Sequence, residues 1–139
     1  AGFLAILRLY VEGVGPGALL WVPLISTLAG VTIVAGNLMA IPQKNIKRLL
    51  AYSGVAHIGY LLLGLAAMSV SGVAMVLFYL VAYMFGNMGA FFVVQAVAGA
   101  ERSDNLDVYR GLARRSPTLA LSLLLFLLSL GGIPFVAGF

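Results

Sequence analysis

The stretch NIKRLLAYSGVAHIGYLLLGLAAMSV, residues 45–70, decides the fold class. Beyond Lys47 and Arg48 it runs to Val70 with no charge-bearing side chain except the only histidine of the chain, His57. A helix needs about 20 mainly apolar residues to cross the hydrocarbon layer of a bilayer, and this run supplies them. It therefore reads as a transmembrane helix whose basic end marks a membrane surface. Asn45 stands where an N-cap accepts from the first helical amides.

Working outward, the same pattern recurs. Residues 21–41, 71–99 and 116–139 carry no charge at all. Spanning helices are predicted at about 20–41, 45–69, 71–99 and 116–139, with residues 1–11 as the last turns of another helix. The connections are VEGVGPG, PQKNIKR, the small-residue turn MSVSG and the longer ERSDNLDVYRGLARRSP. Gly and Pro break the first, and Ser116–Pro117 reads as an N-cap followed by proline at the first helical position. The prediction is an all-α, polytopic transmembrane helix bundle forming one membrane segment, 1–139. Its two ends, AGFLAILRLY and GGIPFVAGF, fall within apolar runs, so an internal segment of a longer protein is expected.

Composition agrees: 63% of the 139 residues are hydrophobic and 9% charged, against about 45–50% and 25% in a soluble domain. That excess of apolar surface belongs against the lipid bilayer. With no cysteine, disulfides, thiolate metal sites and iron–sulfur clusters are excluded, so redox chemistry is expected on other chains. No residues show metal-ligand or nucleophile spacing, and no catalytic residue is assigned. The net charge of +4 does not signal nucleic acid, because the basic residues sit in the short loops. If the connections alternate sides, loops 42–48 and 100–116 lie together and hold Lys44, Lys47, Arg48, Arg102, Arg110, Arg114 and Arg115, seven of the eight basic residues. The positive-inside rule then puts both loops on the cytoplasmic side.

An ionisable group within lipid costs about 2.5 kcal/mol or more when charged, so His57 requires a reason. Ser53, His57 and Tyr60 follow at i, i+4 and i+7 on one helical face, continued by Gly64. Such a stripe either holds water and relays protons, which suits a group titrating near neutral pH, or hydrogen-bonds a neighbouring helix. Tyr79, Tyr83, Asn87 and Gln95 form a second polar row on the next span, with Gly86 and Gly89 permitting a close helix neighbour; interhelical bonding accounts for most of it, and the tyrosines offer hydroxyls to a wet path. In SLGGIP, 129–134, Gly131 and Gly132 weaken a turn, and Pro134 cannot donate to the carbonyl of Leu130. Irregular backbone at membrane depth is tolerated inside protein or beside water, so this reads either as a helix break at a site or as a plain proline kink. Lys47, about 15 Å along the axis from His57, is first a surface anchor and second a residue at the mouth of a path.

GNLMAIPQKNIKRLLAYSGVAHIGYLLLG, followed by YRGLARRSP and LSLGGIPFVAGF, resembles the antiporter-like membrane subunits of respiratory complex I, in order and through essentially the whole chain. Among its paralogues the form with histidine before IGY is most similar to the N type. The resemblance implies a fold of about fourteen helices with two inverted repeats, each carrying one discontinuous helix. It implies a multi-pass protein of a bacterial inner membrane, or of an organellar energy-transducing membrane. It also implies proton translocation coupled to quinone reduction elsewhere in an NADH:quinone oxidoreductase, with other membrane-arm subunits as partners. NADH, FMN, iron–sulfur clusters and quinone would be held by other subunits, and none by this chain. His57 matches the intramembrane histidine of the family, and Gly131, Gly132 and Pro134 match its helix break. The expected proton path is thus His57, Ser53, Tyr60, Lys47, Tyr83 and Asn87. Two family lysines fall just outside residues 1 and 139. Gly54 stands where a second serine is usual, which removes a hydroxyl near the histidine, and Phe135–Val136 replace a more common pair. Multi-subunit cation/proton antiporters and membrane-bound hydrogenases share this fold and are the alternative; a non-conducting scaffold bundle is a third reading.

Overall fold

The computed structural model describes residues 2–13, 17–67 and 69–132. Among these residues the regular elements are all helical: α1 (Gly2–Gly13), α2 (Ala18–Ala40), α3 (Ile46–Ala66), α4 (Val70–Glu101), a 3₁₀ turn at Leu106–Tyr109, α5 (Leu112–Arg115) and α6 (Pro117–Leu130). Three of them contain apolar stretches long enough to cross a membrane: Leu20–Ala40, Ile46–Ala66 and Val70–Glu101. At 32 residues, α4 is about 48 Å long and exceeds the hydrocarbon layer; the 14 residues of α6 reach only about 21 Å.

The boundaries have local causes. The Asn45 side-chain oxygen accepts from the backbone N–H of Lys47 (2.9 Å) and of Arg48 (3.3 Å), satisfying two amides that the first turn of α3 leaves unpaired. The Ser69 hydroxyl oxygen accepts from the Gly72 N–H at 2.9 Å and caps α4 three residues after α3 has ended at Ala66. Arg102, in the left-handed region at φ 52°, stops α4. Ser116 departs from the capping expected of it: its hydroxyl makes no cap bond, because Ser116 also closes α5, donating its N–H to the Leu112 carbonyl at 2.8 Å. Pro117 alone marks that start, removing a donor that would have been orphaned. At the far end, α6 stops at Leu130. Gly131 donates to the Leu127 carbonyl (2.8 Å) and Gly132 to that of Ser129 (3.2 Å), and Gly132 takes φ 70°, which costs glycine nothing. Helix was expected through this point to residue 139; Pro134 lies outside the described residues.

Small residues set how closely the spans approach. A Cβ at Gly36 would stand 2.7 Å from the backbone nitrogen of Ala56, and one at Gly59 would stand 3.0 Å from the Ala29 carbonyl oxygen. The backbones of α2 and α3 therefore touch almost directly, the close approach that small residues permit between helices in lipid. Between α4 and α6 the Phe126 ring covers Gly89. Facing outward, α2 and α4 expose large apolar side chains, among them Leu20, Val31, Phe78, Phe85 and Phe92, as a membrane segment does.

Two apolar clusters divide the bundle along its length. One gathers Ile46 and Leu50 of α3 with Ala90, Val93, Val94 and Val97 of α4, together with Leu112 and Leu123. The other joins Leu7, Ile25, Leu61, Leu65 and Val76. On α3 the stretch between the clusters carries Ser53, His57 and Tyr60, and on α4 it carries Tyr79, Tyr83 and Asn87. A polar layer thus lies midway through the bundle.

The two basic loops meet at one end. The Ile46 N–H donates to the Asp104 carbonyl (3.0 Å) and the Leu106 N–H to that of Lys44 (2.8 Å), forming a one-rung antiparallel bridge between Asn45 and Asn105. The Lys47 ammonium lies 2.9 Å from Asp104 Oδ1. That approach is an ion contact off the hydrogen-bonding direction, so the oxygen accepts no aligned hydrogen bond. Arg115 pairs with Glu101 and donates to the carbonyls of Val108 and Arg110, folding loop 102–116 back on itself. The charges that share a side by count also share it in space.

A polar cavity around the mid-membrane histidine

The short turn between α3 and α4 makes them an antiparallel hairpin, and in such a hairpin residues equally far from the turn lie at the same level. His57 lies nine residues before Ala66, and Tyr79 nine residues after Val70. Their side chains meet: His57 Nδ1 and the Tyr79 hydroxyl are hydrogen-bonded. With the imidazole neutral and protonated on Nε2, the phenol O–H donates to Nδ1; with both ring nitrogens protonated, Nδ1–H donates to the phenol oxygen. His57 is 5% exposed and is the one polar residue among the fully buried positions described.

Aromatic rings enclose the imidazole. Tyr60 meets it edge-on with centroids 5.8 Å apart and planes at 74°, and Tyr83 lies tilted over it at 4.9 Å. Gly54 makes room for this: a Cβ there would stand 2.8 Å from the Tyr83 hydroxyl oxygen. The missing serine and the placement of Tyr83 are therefore one feature, since a larger residue would displace the phenol.

A cavity of about 520 Å³ opens beside His57. Its polar wall is Asn37, Ser53, His57, Tyr60 and Tyr79, and Gly131 and Gly132 contribute backbone where α6 ends. Water needs room and two to four polar partners to occupy a buried site, and this wall supplies both. On the other side of the ring a much smaller space, about 10 Å³, is bounded by His57, Tyr79, Ala82, Tyr83, Ser129 and Leu130. Among the described residues, no three or more acidic, histidine or cysteine side chains converge as they would on a metal ion.

Of the residues expected on a proton path, Ser53, His57 and Tyr60 line the large cavity together, and Tyr83 lines the smaller one. Gly131 and Gly132 close the large cavity at the helix end. Asn87 lines neither cavity. Lys47 lines neither and sits at the bundle end against Asp104. Asn37 and Tyr79 carry more of the site than the sequence suggested. Asn37 is the one amide side chain of α2, but its phase toward α3 depends on packing; its Nδ2 donates to the Ile33 carbonyl at 2.9 Å. For Tyr79 the tight turn set its depth level with His57, while the rotation of α4 that turns its hydroxyl onto the imidazole came from packing.

The whole chain, residues 1–139, matches the family described as NADH:quinone oxidoreductase/Mrp antiporter, transmembrane. Among its relatives, NADH-quinone oxidoreductase subunit N of Moorella thermoacetica is 52% identical over 139 residues. The subunit N of Heliobacterium modesticaldum is 51% identical over 140, and that of Geobacillus kaustophilus 47% over 149. All of this chain is covered in each match, but only 29%, 30% and 30% of those relatives. The chain thus spans just under a third of the length of the curated relatives it matches. With the full family match and long apolar helices, it is a multi-pass inner-membrane segment that belongs to the NADH:quinone oxidoreductase/Mrp antiporter transmembrane family.

Proposed function

We propose that this chain is part of a proton-translocating membrane subunit of an NADH:quinone oxidoreductase, and that His57 takes up and releases protons in the cavity it lines. The observation that carries the reading is the cavity itself. It carries a polar wall, lies at mid-bundle between two apolar clusters, and is lined by the buried histidine and the ending of α6. A buried imidazole at that depth is costly when charged, and it is retained where proton transfer uses it. Ser53, Tyr60 and Asn37 supply the groups that order water beside it. The backbone at Gly131–Gly132 offers carbonyls where the helix ladder stops, as discontinuous helices do around ion sites.

Quinone reduction, NADH oxidation and their cofactors are assigned to other subunits of the complex, and the exposed apolar faces of α2 and α4 to lipid, to the rest of this subunit and to neighbouring membrane-arm subunits. The names of the relatives favour this assignment over a multi-subunit cation/proton antiporter, which the family description also covers. Lys47 with Asp104 is assigned a structural role at the cytoplasmic end first, and a role at the mouth of the path second.

His57→Ala in the complete complex, reconstituted in vesicles, tests the proposal through protons translocated per electron transferred. Translocation is expected to fall while the complex stays assembled, and His57→Gln, which keeps a hydrogen-bonding side chain but cannot shuttle a proton near neutral pH, is expected to fail equally. Unchanged translocation in both variants refutes the reading.

A further inference from the structure

Three cavities converge on one side chain. The large cavity extends toward the basic loops, where Leu49 and Leu50 line it. A second cavity, about 140 Å³ and largely apolar, lies toward the opposite end, walled by Leu61, Gly64, Met75 and Val76. Tyr60 and Tyr79 are the residues the two have in common. The small space on the other side of His57 is also bounded by Tyr79, and at about 10 Å³ it is at the lower limit for one water molecule. Among the described residues, Tyr79 alone lines all three. Tyr60 and Tyr79 therefore form the floor between a cavity with a polar wall toward one end of the bundle and a largely apolar one toward the other, and the Tyr79 hydroxyl is bonded to the histidine above that floor.

We propose that Tyr79 is the gate of the path: the two rings stop water, and the Tyr79 hydroxyl passes protons between His57 and the opposite side. This rests on the proton-relay reading of His57. The step conserves charge. Hydronium on the far side gives a proton to the phenol oxygen as the phenol's own proton moves to His57 Nδ1, and His57 Nε2 releases its proton to water beside the ring, so that water is left on the far side and hydronium forms on the near side. Two O–H bonds and one N–H bond break, two O–H and one N–H form, and neither side chain is left ionised. The imidazole ends in its other tautomer, and a ring flip resets it. A hydroxyl can do this because it donates and accepts at one atom, whereas a benzene ring in the same place only blocks.

Tyr79→Phe keeps the floor and removes the relay. In the complete complex in vesicles it is expected to reduce protons translocated per electron to the level of His57→Ala, without raising passive proton leak. Normal translocation in Tyr79→Phe with loss in His57→Ala overturns the gate and leaves the histidine reading standing; normal translocation in both overturns the two together. A fluorotyrosine at position 79 keeps ring, bond and fold while making the phenol more acidic. It is expected to shift the pH profile of translocation toward lower pH, a response that a purely structural tyrosine does not give. An unshifted profile overturns the proposal even where Tyr79→Phe fails to assemble.

Discussion

Gly36 is where packing of the bundle is most exposed to a single atom. A Cβ added there would stand 2.7 Å from the Ala56 nitrogen, 3.0 Å from the Tyr52 carbonyl oxygen and 3.1 Å from the Ala56 Cα. All three are backbone atoms of α3, so no rotamer change relieves the contact. Non-bonded heavy atoms settle near 3.5 Å or beyond, so α2 and α3 must part locally by roughly 1 Å. Overpacking of this kind costs about 1–3 kcal/mol, and the rigidity of the struck atoms places Gly36→Ala in the upper half. Replacing a mid-helix glycine by alanine returns about 1 kcal/mol, leaving a net loss of about 1–2 kcal/mol. Gly30 on the same helix is the control, with nothing within 4 Å of an added Cβ; Gly30→Ala is expected to gain about 0.5–1 kcal/mol. Denaturation of the two full-length variants side by side in detergent gives the difference. Gly36→Ala as stable as Gly30→Ala refutes the view that direct backbone contact sets the α2–α3 spacing. Because Asn37 follows Gly36 and lines the cavity, the same displacement is expected to lower proton translocation.

Other consequences lie at the end of the bundle where the basic loops meet. Asn45→Ala removes the acceptor for two first-turn amides of α3 and is expected to cost about 1 kcal/mol, read as faster hydrogen exchange at Lys47 and Arg48; unchanged exchange there contradicts the cap. Burial, with a smaller contribution from Asp104, pushes the Tyr109 phenol above its ordinary value of 10.0. The folded loop then favours the neutral phenol, so its contribution is fully present below pH 10 and is lost as the pH rises through the higher folded value. Protease resistance of loop 102–116 should fall above pH 10 in the wild type, and less so in Tyr109→Phe. An identical alkaline profile for both removes Tyr109 as the cause.

The spans and their polarity are legible in sequence because lipid imposes a length and an apolar composition on each helix, and Lys and Arg accumulate on one side. Both are properties of the chain taken a segment at a time. The Asn45 cap was legible for the same reason, being a contact over three residues. Ser116 was misleading because one residue had to end α5 and begin α6, and which of these its geometry served was not a matter of local preference.

Sequence by itself determined that this is a helical membrane segment, that its basic loops share a side, and that His57, Ser53 and Tyr60 occupy one face of a spanning helix. Only the tertiary structure decided what that face meets. The phase and depth of α2, α4 and α6 around α3 follow from glycine contacts and aromatic packing between residues far apart in the chain, and no periodicity within one helix encodes them. Those contacts bring Tyr79 to the histidine, Asn37 and the end of α6 to the cavity wall, and Lys47 to Asp104 instead.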